Sequence, residues 1–204
     1  DVVYENIIMS NVATPFWIKL TNRTLPVGQI YNISITNVTV SHVYGIESER
    51  NMTSTLDGFD NDHRLGPNIV FTNVSIIYLG GGSLCAIDIV PPNPDTDYRP
   101  RYLGPRPSYG FYIRYADGVH FIDVSVGFEG NELRPAVFVD SATDISFHDF
   151  SAQKDSGTLS GCDIIIEGGS EVSVNKDSNV VTCPFSDIPP CPHQVYYYSP
   201  YDNQ

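Results

Sequence analysis

One short pattern recurs along the chain, and it restricts the fold more than any other feature. The segments Asn6-IIMSNV, Asn32-ISITNV, Asn68-IVFTNV, Gly118-VHFIDV and Asp144-ISFHDF share a single layout. Each opens on a polar residue or Gly, has apolar residues second and fourth, Asn or Asp sixth and an apolar seventh. The starts at 6 and 32 lie 26 residues apart, as do those at 118 and 144. The two intervals between are longer, with Gly, Pro and charged residues in the surplus. Alternation over so few residues specifies strands, because Ile33, Ile35 and Val38 fit no helical stripe. A strand unit repeating every 20–30 residues or so, with insertions between units, is the mark of a solenoid.

The expected architecture is therefore all-β: part of a right-handed parallel β-helix, with long loop insertions between its coils. Successive coils lie about 4.8 Å apart, so equivalent residues stack. Ile7, Ile33, Ile69, Val119 and Ile145 should form one interior column, and Met9, Ile35, Phe71, Phe121 and Phe147 a second. Asn11, Asn37 and Asn73 should form an inward amide ladder continued by Asp123 and Asp149, each side chain donating and accepting along the axis. His120 and His148 are expected at matching positions on the outer face. Coils should occupy residues 1–182, and the Pro- and Tyr-rich segment 183–204 should pack on their outside or on a partner.

Composition narrows the function classes. Only 17% of residues are charged and the formal net charge is −13. That argues against nucleic acid and anionic membrane as partners, since both need a basic footprint. No run reaches the roughly 18 apolar residues of a membrane helix. An acidic polymer would need a local basic patch, and Arg99, Arg101, Arg106 and Arg114 offer one, four of eleven Lys and Arg within sixteen positions. The insertion 47–66 adds His63 and Arg64, and the insertion 91–109 adds Tyr98 and Tyr109. Arginine forks grip carboxylates and tyrosine faces stack on sugar rings, so Arg99, Arg101, Arg106, Tyr98, Tyr109, Arg64 and His63 are the candidate substrate contacts. No metal is expected, because DGFDND at 57–62 lacks the glycine and distal glutamate of a calcium loop. No cofactor is expected either.

Four cysteines suit an oxidising compartment. Cys183 and Cys191 enclose PFSDIPP and are read as a local pair, which leaves Cys85 and Cys162 to pair with each other or stay free; Cys162 with Cys183 is a further option. Five sequons, at Asn22, Asn32, Asn37, Asn51 and Asn73, point to eukaryotic secretion. Asn22 and Asn51, in loops, are the expected glycan acceptors, with Asn32 ambiguous. An inward ladder would exclude Asn37 and Asn73.

Four blocks carry a family resemblance: VVYENIIMSNVATPFWIKL, GPNIVFTNVSIIYLGGG, PSYGFYIRYADGVHFIDVSV and ELRPAVFVDSATDISF. In this order they resemble the carboxy-terminal half of family 28 glycoside hydrolases, the polygalacturonase and rhamnogalacturonan hydrolase group. The resemblance implies inverting hydrolysis of galacturonate linkages in pectin, by one carboxylic acid and carboxylates that position water. It also implies Asn-Thr-Asp, Asp-Asp, Gly-His-Gly and Arg-Ile-Lys motifs, and this chain contains none of them. The nearest relic is Trp17-Ile18-Lys19. No catalytic residue is therefore expected in this chain. The acids should lie in an amino-terminal portion of the same protein, stacked on the first coil. The alternative is a non-catalytic β-helix with a structural, adhesive or filament-forming role.

Overall fold

A computed structural model describes residues 1–23, 26–44, 53–93, 100, 104–156 and 161–191. The chain shuttles between two parallel sheets. The first takes β1 (Val2–Ser10), β3 (Ile33–Val43), β5 (Ile69–Tyr78), β7 (Asp117–Phe128), β9 (Thr143–His148) and β12 (Ser170–Val174), in that spatial order. A short strand, β10 (Ser151–Ala152), adds to β7. The second sheet takes β2 (Trp17–Lys19), β4 (Ser54–Asp57), β6 (Phe111–Arg114), β8 (Val137–Asp140), β11 (Ile164–Glu167) and β13 (Thr182–Pro184). Every neighbouring pair is parallel. Among the described residues no helix is long and apolar enough to cross a membrane.

A left-handed residue bends β1, β3, β5 and β7 and follows β9 directly. Asn6, Asn37, Asn73, Asp123 and Asp149 all have φ between 52° and 57°. Asn and Asp tolerate this region where most side chains do not. The extra residue advances the in–out alternation by one, so Ile33 and Ile35 before the bend and Val38 and Val40 after it all face inward and are buried. A second left-handed position stands just before β3 and β5, at Asn32 and Asn68, and at the second residue of β7, β9 and β12, at Gly118, Asp144 and Glu171. The recurring five-residue spacing follows from these two bends.

The columns form as the repeat demands, except in the first strand. Ile33, Ile69, Val119 and Ile145 are in register, as are Ile35, Phe71, Phe121 and Phe147. Phe121 stacks on Phe71 and Phe147 with centroids 5.1 and 5.0 Å away. Rings of the two sheets meet in this core, Phe71 lying 5.4 Å from Phe111. In β1, however, Val2 pairs with Ile33 and Tyr4 with Ile35, while Ile7 pairs with Val38 and Met9 with Val40. The first interval is thus 31 residues, not 26. Asp1-VVYENI satisfies the template as well as Asn6-IIMSNV does, so the repeat alone left two registers open. Asn6, not Asn11, heads the ladder: Asn37 Nδ2 donates to Asn6 Oδ1 at 3.1 Å, and Asn73 Nδ2 to Asn37 Oδ1 at 2.8 Å. The ladder also lies on the outer corner of the bend rather than inside, with Asn37 and Asn73 both exposed. His120 partners Ser146, not His148, because the offset of 26 carries position 120 to 146.

The cysteines pair as Cys162–Cys183 and Cys85–Cys191. This corrects the local pair Cys183–Cys191. β13 lies alongside β11, Cys183 opposite Ile165, which brings Cys183 within 5.9 Å of Cys162 (Cα–Cα). The chain then runs outward, Phe185 and Ile188 packing with Tyr112, Phe138 and Ile165, and delivers Cys191 to Cys85. The boundary at 182 therefore falls within β13.

Candidate functional site

The second sheet buries Leu56, Ile113 and Val139 on its inner side. Alternation sends their neighbours to the opposite face in two registered rows. One row is Trp17, Thr55, Tyr112, Phe138 and Ile165; the other is Lys19, Asp57, Arg114, Asp140 and Glu167. The first is roofed by Ile87 and Ile188, which belong to segments joined through Cys85–Cys191. The second is a line of charge.

That line starts as an alternating ion pair. Lys19 Nζ meets Asp57 Oδ2 at 2.6 Å. Arg114 grips the same carboxylate with two bonds, Nε to Oδ1 at 2.8 Å and Nη2 to Oδ2 at 3.1 Å. All three side chains are at most 5% exposed. Segment 91–93 seals them in: Lys19 donates to Asn93 Oδ1 at 2.6 Å, and Arg114 to the Pro91 carbonyl at 2.7 Å. Burial lowers the Lys19 pKa despite the Asp57 charge, with Arg114 and Arg106 adding repulsion. Burial also opposes the charge on Arg114, but the Asp57 bonds and charge outweigh it and raise that pKa.

The line surfaces at Asp140 and Glu167, both half-buried. Tyr112 OH donates to Asp140 Oδ2 at 3.1 Å and Ser141 Oγ to Oδ1 at 2.9 Å. Partial burial, with the Asp140 charge adding to it, raises the Glu167 pKa above 4.5. A carboxyl that binds its proton more tightly folded than unfolded stabilises the fold below pH 4.5, and that contribution is lost as pH rises through the raised value. Glu167→Gln should therefore flatten the fall in melting temperature just above pH 4.5. An unchanged profile would place the titration elsewhere.

Comparison with protein-family models, curated proteins and solved structures finds no match for this chain. What the site can do must be read from its own residues.

Several sequence-based candidates are engaged in holding the fold. Arg106 is fully buried, its Nε on Thr55 Oγ1 at 3.3 Å, its other nitrogens on the Gly104 and Pro100 carbonyls, and its guanidinium 5.3 Å from the Trp17 ring centroid. Burial lowers its pKa to about 9, so it keeps its charge at neutral pH. Tyr109 is a core residue, wedged against Tyr78 and Phe128, with its hydroxyl on the Gln153 carbonyl at 2.9 Å. Neither presents a surface to a polymer, which corrects their reading as substrate contacts. Tyr109→Phe should cost about 1 kcal/mol of stability through that one lost bond. It should leave polysaccharide affinity unchanged, and weakened affinity in a binding titration would return Tyr109 to the site.

Arg64 and His63 remain partly exposed. Arg64 reaches across to the Ser141 carbonyl at 2.9 Å, placing this loop beside the Asp140 end of the charged row. His63 Nδ1 lies 2.9 Å from Asp60 Oδ1. Asp57 is committed to Lys19 and Arg114, and Asp60 Oδ1 caps the backbone N–H groups of Asp62 and His63. Among the described residues no group of His, Cys, Asp or Glu is placed to hold a metal ion. Tyr98, Arg99, Arg101 and Asn51 lie outside the described residues. Asn22 is half-buried with its Oδ1 lacking a hydrogen-bond partner, while Asn32 Nδ2 donates to Asp1 Oδ1 at 2.8 Å.

Sequence reasoning missed the charged row, yet a signal existed. WIKL, TLDG, YIRY, FVDS and IIEG each place a charged residue after two that alternate out and in. It also missed the buried pair in which Arg134 donates to both oxygens of Glu132, at 2.8 and 2.9 Å. Glu132 also accepts from the Gly82 amide, and a Cβ at Gly82 would fall 2.1 Å from Glu132 Oε1. Only glycine fits there.

Proposed function

We propose that the two sheets are walls of a right-handed parallel β-helix, the carboxy-terminal portion of a secreted glycoside hydrolase resembling family 28. Its substrate is galacturonate-containing polysaccharide, cleaved with inversion. The catalytic acids lie on coils that stack against β1 and β2. One observation carries this reading. β1 and β2 are edge strands of their sheets, and the columns buried from β3 through β9 are headed there by Val2, 43% exposed, and Tyr4, 50% exposed. An apolar coil end with free strand edges invites pairing, and a further coil satisfies both demands.

The outer face of the second sheet would then continue across the joint. Its charged row ends at Lys19 on that side, and the loop bearing His63 and Arg64 flanks it. Tyr98, Arg99 and Arg101 stay with the proposal as wall contacts. Two disulfides accord with an oxidising, extracellular setting.

A non-catalytic adhesive or filament-forming module is the competing reading. It draws on the engagement of Lys19, Asp57, Arg106 and Arg114 in internal bonds. Release of reducing ends from polygalacturonate and rhamnogalacturonan separates the two. The natural protein, including whatever coils accompany β1, should release them, and the isolated chain should not. Inactivity of the natural material on both polymers would favour the structural module.

A further inference from the structure

The amide ladder offers a modification site. Asn37-Val-Thr39 and Asn73-Val-Ser75 are sequons, and both asparagines stand on the outer corner of the first sheet, exposed. Short side chains surround them: Thr36 and Thr72 precede, Thr39 and Ser75 follow two residues later, and none is fully buried. Each asparagine is held left-handed, at φ 55° and 52°, and each donates one amide hydrogen along the ladder, Asn37 to Asn6 and Asn73 to Asn37.

That single bond is what an N-glycan leaves intact. Glycosylation replaces one of the two amide hydrogens with the sugar's anomeric carbon, giving a secondary amide. Such an amide is planar and trans, so the hydrogen it keeps lies opposite the carbonyl, as in a peptide. This disposition lets the side chain donate toward one coil and accept from the other while the sugar projects outward, away from Cβ. At Asn22, by contrast, the amide oxygen is buried and unbonded.

We propose that Asn37 and Asn73 form one N-glycan column that carries a single glycan per molecule. The limit is steric: the two residues occupy adjacent rungs about 4.8 Å apart, which leaves no depth for two branched sugars side by side. The inference rests on passage through a eukaryotic secretory compartment, part of the reading above, but not on hydrolysis or on the substrate.

The test is peptide mapping of the natural protein after enzymatic deglycosylation in heavy-oxygen water, which converts each occupied Asn into isotopically marked Asp. Marked Asp at position 37 or 73, with occupancies summing to no more than one, is the expected result. Unmarked peptides at both positions would overturn the proposal, and so would full marking at both. In a secretory host, the full-length variant T39A/S75A keeps both ladder asparagines and should lose the mass of one glycan. An unchanged mass would also contradict it. Because the readout is mass, its failure is distinguishable from failure to cleave pectin.

Discussion

Asp57→Ala should be among the most damaging single substitutions outside the apolar core, lowering the melting temperature by roughly 6–20 °C. The carboxylate is fully buried and neutralises two cations, Lys19 and Arg114, that are themselves nearly inaccessible. Removing one partner of a buried pair costs about 3–5 kcal/mol, because the remaining charge is left without compensation. In a chain of this size each kcal/mol corresponds to about 2–4 °C. Lys19→Met should cost less: Asp57 keeps both Arg114 bonds, and burial already disfavours the ammonium. Thermal unfolding followed by circular dichroism decides the matter. A variant lacking Asp57 that melts within about 2 °C of the parent would mean that water reaches the cluster and screens it.

Loss of the Cys85–Cys191 bridge should be comparably severe. It joins residues 106 apart, and constraint of a loop near 100 residues is worth about 4.7 kcal/mol in the chain-entropy account. Cys162–Cys183 lies inside that loop and shortens it by 21 residues, which matters little in a logarithm. The double variant Cys85→Ser, Cys191→Ser should therefore melt roughly 9–19 °C lower. The Ile87 and Ile188 roof should also loosen, making residues near 84–93 and 185–191 the first sites of limited proteolysis. Unchanged melting and an unchanged digestion pattern would show that apolar packing alone holds the roof.

The first sheet was legible because its signal is periodic. Apolar alternation marked the strands, and four of five residues in each interior column were assigned to the right rungs. The fifth failed for a physical reason. Left-handed Asn6, in β1, and Asn11, just after it, lie five positions apart like the paired bends of later strands, so shifting by five preserves the template while moving every partner. The placement of the ladder inside the solenoid failed because a left-handed bend turns its side chain outward. At the candidate site, exposure could not be inferred from residue type. Arg106 and Tyr109 look like surface binders in a Pro-rich insertion, yet both are buried, Arg106 against Thr55 and Trp17 of the second sheet and Tyr109 against Tyr78 and Phe128 of the first. The cysteine pairing was hidden similarly, because Cys85 and Cys191 are close only after Phe185 and Ile188 have packed.

On the proposed function, coils bearing the catalytic acids stack on β1 and β2. Intact and denaturing mass analysis of the natural protein, with sequencing of every polypeptide present, tests it most directly. The expected result is an associated polypeptide, or a longer single chain, with paired aspartates and a strand repeat matching the spacing seen here. A homogeneous 204-residue chain, alone under native conditions, would contradict it.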